Sequence, residues 1–260
     1  MPRPVEAPQS PRQAEAVAAD SQSGSALLDN PIWNSLRTVH STLALSHGSA
    51  SRFPPEIGPL TGIPDQSAKS YADLRGLAES GQGVLGGPIV LFFEQPPAPP
   101  AGWKLLRGGL LDQMVCTEPP SPEFGQLPNN GQTLRRLTPD DTPAMVELAK
   151  LTEPGPFETR TIELGAFFGI FHEERLVAMA GQRLGLPRFV EVSAVCTHPD
   201  ARGRGYAPAL MSTVMANIFD QGKTPFLHSF SDNAAAIAVY RRLGFTFRRN
   251  FQLAVLQNEI

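Results

Sequence analysis

Residues 195–207 have the sequence Val-Cys-Thr-His-Pro-Asp-Ala-Arg-Gly-Arg-Gly-Tyr-Ala, and this stretch decides the fold. The apolar run from Phe189 to Thr197 predicts a strand before the turn, and the pattern from about Gly205 to Phe219 predicts a helix after it. The first turn of a helix leaves backbone N–H groups without partners, and the helix dipole favours negative charge there. Because glycines let a phosphate approach the main chain closely, the stretch predicts a pyrophosphate site.

Two other phosphate-binding motifs do not fit the sequence. The dinucleotide fingerprint needs a third glycine where this chain has Pro208 after Gly203 and Gly205. A Walker loop is suggested by Gly222-Lys223-Thr224, but the glycine that it requires upstream is Asn217. That triplet also follows a predicted helix instead of a strand, so both motifs are rejected.

The pattern that does fit is Arg/Gln-x-x-Gly-x-Gly/Ala, which Arg202, Gly205 and Ala207 fill. It resembles the pyrophosphate-binding loop of the GNAT superfamily of acetyl-CoA-dependent N-acetyltransferases, and the resemblance covers about residues 133–257. The resemblance implies acetyl-CoA as co-substrate. It also implies that these residues bind it: Val195, Cys196, Thr197, Arg202, Gly203, Arg204, Gly205, Tyr206, Ala207, Asn233 and Tyr240.

The strand before the loop carries two predicted catalytic groups. In GNAT enzymes this strand separates from its neighbour, and its main-chain groups pair with pantetheine. The resemblance implies that the Val195 N–H polarises the thioester carbonyl and stabilises the oxyanion formed on attack. Because residues two and four apart share a strand face, Glu191 and Ser193 are expected to face the same way as Val195. Glu191 then resembles the general base of many GNAT enzymes, with a carboxylate in a cross-strand pair as the alternative.

Residues 233–245 follow the pattern Asn-x-x-Ala-x-x-x-Tyr-x-x-x-Gly-Phe, which predicts a helix with Asn233 and Tyr240 on one face. The resemblance implies that Asn233 binds the pantetheine or pyrophosphate region and that Tyr240 protonates the leaving thiolate. An N-cap asparagine and a packing tyrosine are the alternative. Cys196 has the opposite strand parity to Glu191 and Val195, so we expect it to face the core and not to act as a nucleophile.

The order of elements predicts an α/β (α+β) fold. The resemblance implies a GNAT-type mixed, mostly antiparallel central sheet flanked by helices, with a second N-terminal α/β unit. Proline and glycine density marks residues 117–131 as a linker between that unit, at 27–116, and the acetyltransferase domain at 132–260. Residues 1–26 are predicted to be a disordered tail. The unit at 27–116 lacks a second phosphate loop. It resembles the degenerate first half of bacterial two-part GNAT proteins, which would form a wall of the acceptor groove.

Within the N-terminal unit the patterns are weaker. Asn30-Pro31 predicts the start of a helix, with helical spacing of apolar residues as far as Leu45. Ser70 to Ala78 predicts a second helix, and Ile89 to Phe93 predicts a strand. Weaker strands are predicted at Trp103 to Arg107 and at Gln113 to Cys116.

The composition argues against several other classes of protein. A net charge of -3 gives no steering toward nucleic acid or an anionic membrane. The two cysteines, Cys116 and Cys196, are predicted to be buried free thiols, and metal-ligand spacing is absent. The sequence shows neither a secretory signal nor a transmembrane run, so we expect a cytoplasmic protein.

The resemblance implies an N-acetyltransferase that moves acetyl from acetyl-CoA to a primary amine by direct attack in a ternary complex. The acceptor is expected to be a small molecule or a peptide, and the sequence leaves a homodimer open. The alternative is a non-catalytic sensor or interaction protein that binds CoA or acyl-CoA and retains the fold. Nucleic-acid binding through the arginine clusters is a third hypothesis, which the net charge disfavours.

Overall fold

The computed structural model describes residues 25–79, 87–127 and 131–259. The α-helices in these ranges are α1 (Pro31–Arg37), α2 (Ala68–Glu79), α3 (Thr142–Thr152), α4 (Tyr206–Asp220) and α5 (Ala234–Arg242). The strands are β1 (Leu45–His47), β2 (Ala50–Arg52), β3 (Thr61–Gly62), β4 (Ile89–Phe93), β5 (Trp103–Val115), β6 (Gln132–Arg136), β7 (Phe167–His172), β8 (Arg175–Gly185), β9 (Phe189–Thr197), β10 (Thr224–Phe230) and β11 (Thr246–Asn258). Short 3-10 helices lie at Ala26–Asp29, Pro122–Gly125, Pro139–Asp141, Thr161–Leu164 and Pro199–Ala201.

Strands from both halves of the chain form one eight-stranded sheet with the order β4-β11-β5-β10-β9-β8-β7-β6. β9 and β10 run parallel, and the other neighbours in this sheet run antiparallel. β5, which precedes residues 117–131, pairs with β10 and β11, while β11, the final strand, pairs with β4. Each half of the chain therefore places its last strand beside a strand of the other half. The division into two domains at 117–131 stays a prediction.

Helices cover both faces of this sheet because strand residues alternate between two apolar cores. Leu227 belongs to the core beneath α4, and its neighbour Phe226 belongs to the opposite core beneath α1. α2 packs on the α4 side, against Ala254 of β11, and α3 packs on the α1 side, against Met179 of β8. The face that carries α2 and α4 is called the α4 face below, and the other is called the α1 face.

A smaller sheet continues the edge of the large one. β1, β2 and β3 pair antiparallel, and Leu60, beside β3, forms a parallel bridge with Val90 of β4. α2 connects β3 with β4 in the same way as α4 connects β9 with β10. The N-terminal half therefore repeats the strand–helix–strand arrangement of the C-terminal half.

The predicted fold class is confirmed. The strands predicted at Ile89–Phe93 and Phe189–Thr197 begin and end at the predicted residues. The helix predicted from Pro31 is wrong in extent, because it ends at Arg37 and Leu45 begins a strand. Asn30 does not cap that helix with its side chain; its amide donates to the Ile63 carbonyl at 2.7 Å instead. The two weak strands predicted after residue 102 are parts of the single strand β5.

Most of the predicted tail lies outside the described residues, although Ala26 begins a 3-10 helix. The same holds for residues 128–130 of the predicted linker. In the described ranges, every helix is too short or too polar to cross a bilayer.

Candidate active site

A cavity of about 840 Å³ opens where β9 ends, between α4 and α5. It is lined by ten of the residues predicted to bind the donor or act in catalysis: Val195, Cys196, Thr197, Arg202, Gly203, Gly205, Tyr206, Ala207, Asn233 and Tyr240. Two predicted residues, Arg204 and Glu191, are not in its lining. The glycine-rich turn and the Asn233-to-Tyr240 helix thus meet at one site, although 26 residues or more separate them in sequence.

The two parallel strands beside this cavity separate, as the resemblance implied. They pair only from Phe189 to Glu191 on β9 and from Thr224 to Phe226 on β10. Beyond these residues β9 and β10 no longer pair with each other, although they continue as far as Thr197 and Phe230. A gap with unpaired main-chain groups on both sides can accept an extended ligand as an added strand would.

A β-bulge at Ala194 reverses the alternation of β9 before the cavity. Ala194 has a φ of +54°, and the pairing with β8 shifts so that Ala194 and Val195 both stand opposite Ala180. Val192 and Val195 pack in the core of the α4 face, whereas Cys196 packs in the core beneath α3. The prediction that Glu191 and Ser193 face the same way as Val195 is therefore wrong, since it assumed an uninterrupted strand.

The turn at 202–207 has the backbone shape that a bound phosphate needs. Gly203 and Gly205 have φ values of +76° and +77°, and apart from the adjacent residues no atom lies within 4 Å of the position that a Cβ would take at either glycine. Gly205 is the N-cap of α4, so the free N–H groups of the first helical turn point toward the cavity end of the helix. The turn therefore fits a pyrophosphate group, with the helix dipole favouring its charge.

Hydrogen bonds around His198 hold this turn. The His198 ring accepts from the Asp200 N–H at 3.2 Å and lies 2.6 Å from a guanidinium nitrogen of Arg175. Arg202 donates to the Thr197 carbonyl at 3.4 Å, and Arg204 donates to the Asp200 carbonyl at 3.3 Å. Arg204 is thus directed back along the turn, which explains its absence from the cavity wall.

α5 carries Asn233 at its start and Tyr240 two turns later. The Asn233 side-chain oxygen accepts from the Ala236 N–H at 3.2 Å and so caps the helix, while the residue also lines the cavity. Tyr240 lies edge-on to Phe245, with 6.3 Å between the ring centroids. Burial raises the pKa of Tyr240, so the phenol keeps its proton at neutral pH and can donate it.

Cys196 lines the cavity but has the environment of a structural thiol. Its side chain packs with Met179 and Leu148, and burial raises its pKa to about 11. A thiol with this pKa is protonated at neutral pH and is a weak nucleophile. Cys116 is also a buried free thiol, with its pKa raised by burial.

Glu191 is fully buried and bonded on both carboxylate oxygens. Arg183 donates to Oε2 at 2.7 Å and to Oε1 at 2.8 Å, and His228 Nδ1 lies 2.7 Å from Oε1. Burial alone would raise the Glu191 pKa, but Arg183 and His228 outweigh it and lower the pKa to about 2. A carboxylate with such a low pKa and no opening to the cavity is poorly suited to remove a proton from an ammonium group.

The cavity also has walls that the sequence patterns did not indicate. Glu123, Phe124 and Gln126, from the predicted linker, line one side, and Phe124 packs against the core beneath α4. Thr152 and Arg242 contribute from the ends of α3 and α5. The proline density of the segment obscured an apolar pair, Phe124 and Leu127, which was the available signal for packing. No cluster of candidate metal ligands occurs among the described residues.

Comparison with known proteins identifies the family. Residues 167–253 match the family model of FR47-like proteins. The crystal structure of a GNAT-family acetyltransferase candidate from Novosphingobium aromaticivorans is 37% identical, covers 90% of this chain and 99% of its own, and superposes with a TM-score of 0.77. A mycothiol acetyltransferase of Corynebacterium jeikeium is 40% identical over 67 residues, which are 25% of this chain and 18% of that protein.

A GCN5-related N-acetyltransferase from Kribbella flavida shares the fold at 16% identity, with a TM-score of 0.52 over 94% of this chain and 95% of its own. The match to the Novosphingobium protein spans nearly all of both chains, and its identity is high enough to show common family membership. The chain belongs to the GNAT superfamily of N-acetyltransferases.

Proposed function

We propose that this protein transfers acetyl from acetyl-CoA to a primary amine by direct attack in a ternary complex. One observation carries the proposal: a single cavity is lined by the glycine-rich turn, by the end of β9 where it has separated from β10, and by Tyr240. Acetyl-CoA would lie with its pyrophosphate at the turn, its pantetheine along β9 and its thioester near Tyr240.

The donor would be held mainly by main-chain groups. The N–H groups around Gly203 to Ala207 would bind the pyrophosphate, and Arg202 and Arg242 would add positive charge at the cavity wall. The unpaired edge of β9 would bond the pantetheine amides as a neighbouring strand does. Asn233 would contribute its amide, because its oxygen is already used in capping.

The chemical step needs an oxyanion donor and an acid. The amine nitrogen attacks the carbonyl carbon while the Val195 N–H, in the bulge, bonds the carbonyl oxygen and stabilises its growing charge. The carbon–sulfur bond then breaks, and Tyr240 donates its proton to the leaving sulfur. The proton lost by the amine passes to water. Cys196 takes no part, because its thiol stays protonated.

The N-terminal half would form no second donor site. At the start of α2, which corresponds in position to α4, the Asp65 carboxylate accepts from the Ser67 N–H at 3.0 Å and from Ser70 Oγ at 2.7 Å. A carboxylate at this place repels a phosphate. The Gln66 side chain also bonds the Pro96 carbonyl and the Ala98 N–H, which places that loop beside the helix start. We propose a degenerate unit that supports the acceptor side, as the resemblance implied.

The acceptor is proposed to be a small-molecule or peptide amine, and a cytoplasmic location fits the two free buried thiols. A CoA sensor without turnover is the second candidate, but a tyrosine at the thioester end of the cavity has no evident use in it.

The proposal is tested by an acceptor screen. Purified protein, acetyl-CoA and a panel of polyamines, amino acids, aminoglycosides and short peptides are incubated, and acetylated products are detected by mass spectrometry. The proposal predicts amine-dependent product together with one free CoA thiol per product. Tight acetyl-CoA binding without product on any amine, unaffected by Tyr240→Phe, would instead identify a sensor.

A further inference from the structure

The Glu191 carboxylate connects three neighbouring strands of the sheet. Glu191 lies on β9, Arg183 lies on β8, and His228 lies on β10. The Arg183 guanidinium bonds both carboxylate oxygens, and His228 approaches one of them from the other side at 2.7 Å. Glu191 and His228 are both almost inaccessible to solvent, with side-chain exposures of 0% and 2%.

Further hydrogen bonds determine which nitrogen of His228 carries the proton. Arg248 donates to Gln113 Oε1 at 2.9 Å, which leaves the Gln113 amide nitrogen as a donor. That nitrogen donates to the Leu28 carbonyl at 3.0 Å and lies 3.1 Å from His228 Nε2. His228 Nε2 is therefore an acceptor, and Nδ1 carries the hydrogen that it donates to Glu191. Burial lowers the His228 pKa, which agrees with a neutral ring.

The contact lies at the point where the parallel strands separate. Glu191 and Phe226 are the last paired residues of β9 and β10, and His228 is the second residue beyond that pair. The bond from His228 to Glu191 thus holds β10 at the apex of the gap. The bond from Arg183 holds β9 to β8 at the same level, just before the bulge at Ala194.

We propose that Glu191 and His228 are positioning residues that fix the apex of this gap, and through it the direction of the Val195 N–H. The inference rests on the proposed function, in which that N–H polarises the thioester carbonyl. It assigns Glu191 a different role from a general base. The Glu191 side chain lies on the α1 face of the sheet, whereas Val195 lies on the α4 face, and both carboxylate oxygens of Glu191 are already bonded.

The two roles predict different effects of Glu191→Gln on the bound donor. A base acts on the acceptor amine, so its removal leaves the thioester carbonyl of bound acetyl-CoA unchanged. Loss of the charged contact with Arg183 instead loosens the apex and misdirects the Val195 N–H. Misplacement of a catalytic group by about 1 Å costs on the order of 10²-fold in rate. We expect kcat to fall by about this factor, with the KM for acetyl-CoA changed by less than about threefold.

The direct readout is the infrared carbonyl stretch of acetyl-CoA, labelled with carbon-13 at the thioester carbonyl, free and bound to saturating protein. The variants are Glu191→Gln and His228→Phe. The second leaves the bond between Glu191 and Arg183 in place, removes the bonds of His228 to Glu191 and to Gln113, and places a similar ring among Phe92, Phe226 and Phe251. The control is Glu163→Gln, which breaks an ion pair with Arg160 in which both side chains are more than one-third exposed.

The inference predicts a lower stretching frequency for bound than for free acetyl-CoA in the wild type and in Glu163→Gln. It predicts a return toward the free value in Glu191→Gln and in His228→Phe. Wild-type frequencies in folded Glu191→Gln and His228→Phe, with kcat lost in the former, would overturn the inference and restore the base role. If Glu191→Gln does not fold, His228→Phe alone decides in the same way. A wild type without any shift would refute the carbonyl contact of Val195 itself, and the positioning role with it.

Discussion

Glu191 and Val195 lie on the same strand, four residues apart, and face opposite sides of the sheet. The bulge at Ala194 causes this, because it places two residues of β9 opposite one residue of β8. The charged contact of Glu191 is thereby enclosed beneath α1, while Val195 is exposed to the cavity beside α4. The proposed site of donor chemistry and the buried polar contacts are thus on different faces of one strand.

The positive φ at Gly205 predicts a specific loss of donor affinity in Gly205→Ala. A Cβ in this conformation costs about 1 kcal/mol and projects from the turn where a phosphate would approach. We expect the acetyl-CoA dissociation constant, measured by calorimetry, to rise about tenfold, or about 1.4 kcal/mol.

Gly222→Ala is the matched control for this change. Gly222 has a φ of +68° and equally open surroundings, but it is not in the cavity lining. Its variant should lose similar stability and keep wild-type affinity for acetyl-CoA. Equal losses of affinity in both variants would show that the effect arises from general strain and not from the phosphate site.

Because Phe124 lines the cavity, we expect the segment 117–131 to contribute to donor binding. Phe124→Ala removes a half-buried ring that contacts both the cavity and the core beneath α4. We expect acetyl-CoA affinity to fall by about 1 kcal/mol, roughly fivefold, through lost apolar contact. Phe247→Ala, at a ring that is 52% exposed and away from the cavity, should leave the affinity unchanged. Unchanged affinity in Phe124→Ala would exclude this wall from the site.

Direct transfer predicts that Cys196→Ala stays active. Because burial raises the pKa of Cys196 to about 11, a covalent acetyl-cysteine cannot form readily at neutral pH. We expect kcat within about threefold of the wild type, since the thiol contributes only packing. Intact-protein mass spectrometry after exposure to acetyl-CoA should show no acetylated enzyme. Abolished turnover together with an acetyl adduct that Cys196→Ala loses would show a ping-pong mechanism instead.

His40 predicts a loss of stability in mild acid. Its ring is bonded to Ser35 Oγ at 3.0 Å, and burial lowers its pKa from 6.5 to about 4. The unfolded chain gains the proton near pH 6.5, whereas the folded chain gains it only near pH 4. The contribution of His40 to the free energy of unfolding is therefore fully present above pH 6.5. As the pH drops toward 4, the free energy of unfolding falls by up to about 3 kcal/mol.

Urea unfolding of the wild type and of His40→Gln between pH 4 and 7.5 checks this dependence. The free energy of unfolding of the variant should depend less steeply on pH. The pH dependence that remains in the variant comes from groups such as His228, whose pKa is also lowered by burial. A slope unaltered in His40→Gln would contradict the assignment.

The C-terminal half follows its sequence closely, because its signals are local. Val-rich alternation marks β9, and a capping asparagine with a Gly-Phe ending marks α5. The bulge could not be predicted, since nothing in residues 189–197 distinguishes a positive φ at Ala194 from regular strand. Every conclusion that compared strand parity across Ala194 was affected by it, including the orientation of Glu191 relative to Val195.

The N-terminal half was harder to predict because its pairing is long-range. Gly108 and Gly109 interrupt the strand pattern of β5, yet Gly109 is required there: a Cβ would lie 2.7 Å from the Phe230 ring. The strands β2 and β3 are only three and two residues long and lie within a segment rich in proline. Their strand conformation comes from packing between α1 and α2, which no local pattern shows.

The central claim is that the protein transfers acetyl in this cavity and that Tyr240 protonates the leaving thiolate. Tyr240→Phe tests this claim most directly. The measurement is amine-dependent release of CoA at saturating acetyl-CoA, with the best acceptor from the screen. Tyr71→Phe, at a buried tyrosine outside the cavity, is the control. We predict a fall in kcat of about 10²-fold or more in Tyr240→Phe, an unchanged KM for acetyl-CoA, and wild-type turnover in Tyr71→Phe. Wild-type kcat in Tyr240→Phe would contradict the account.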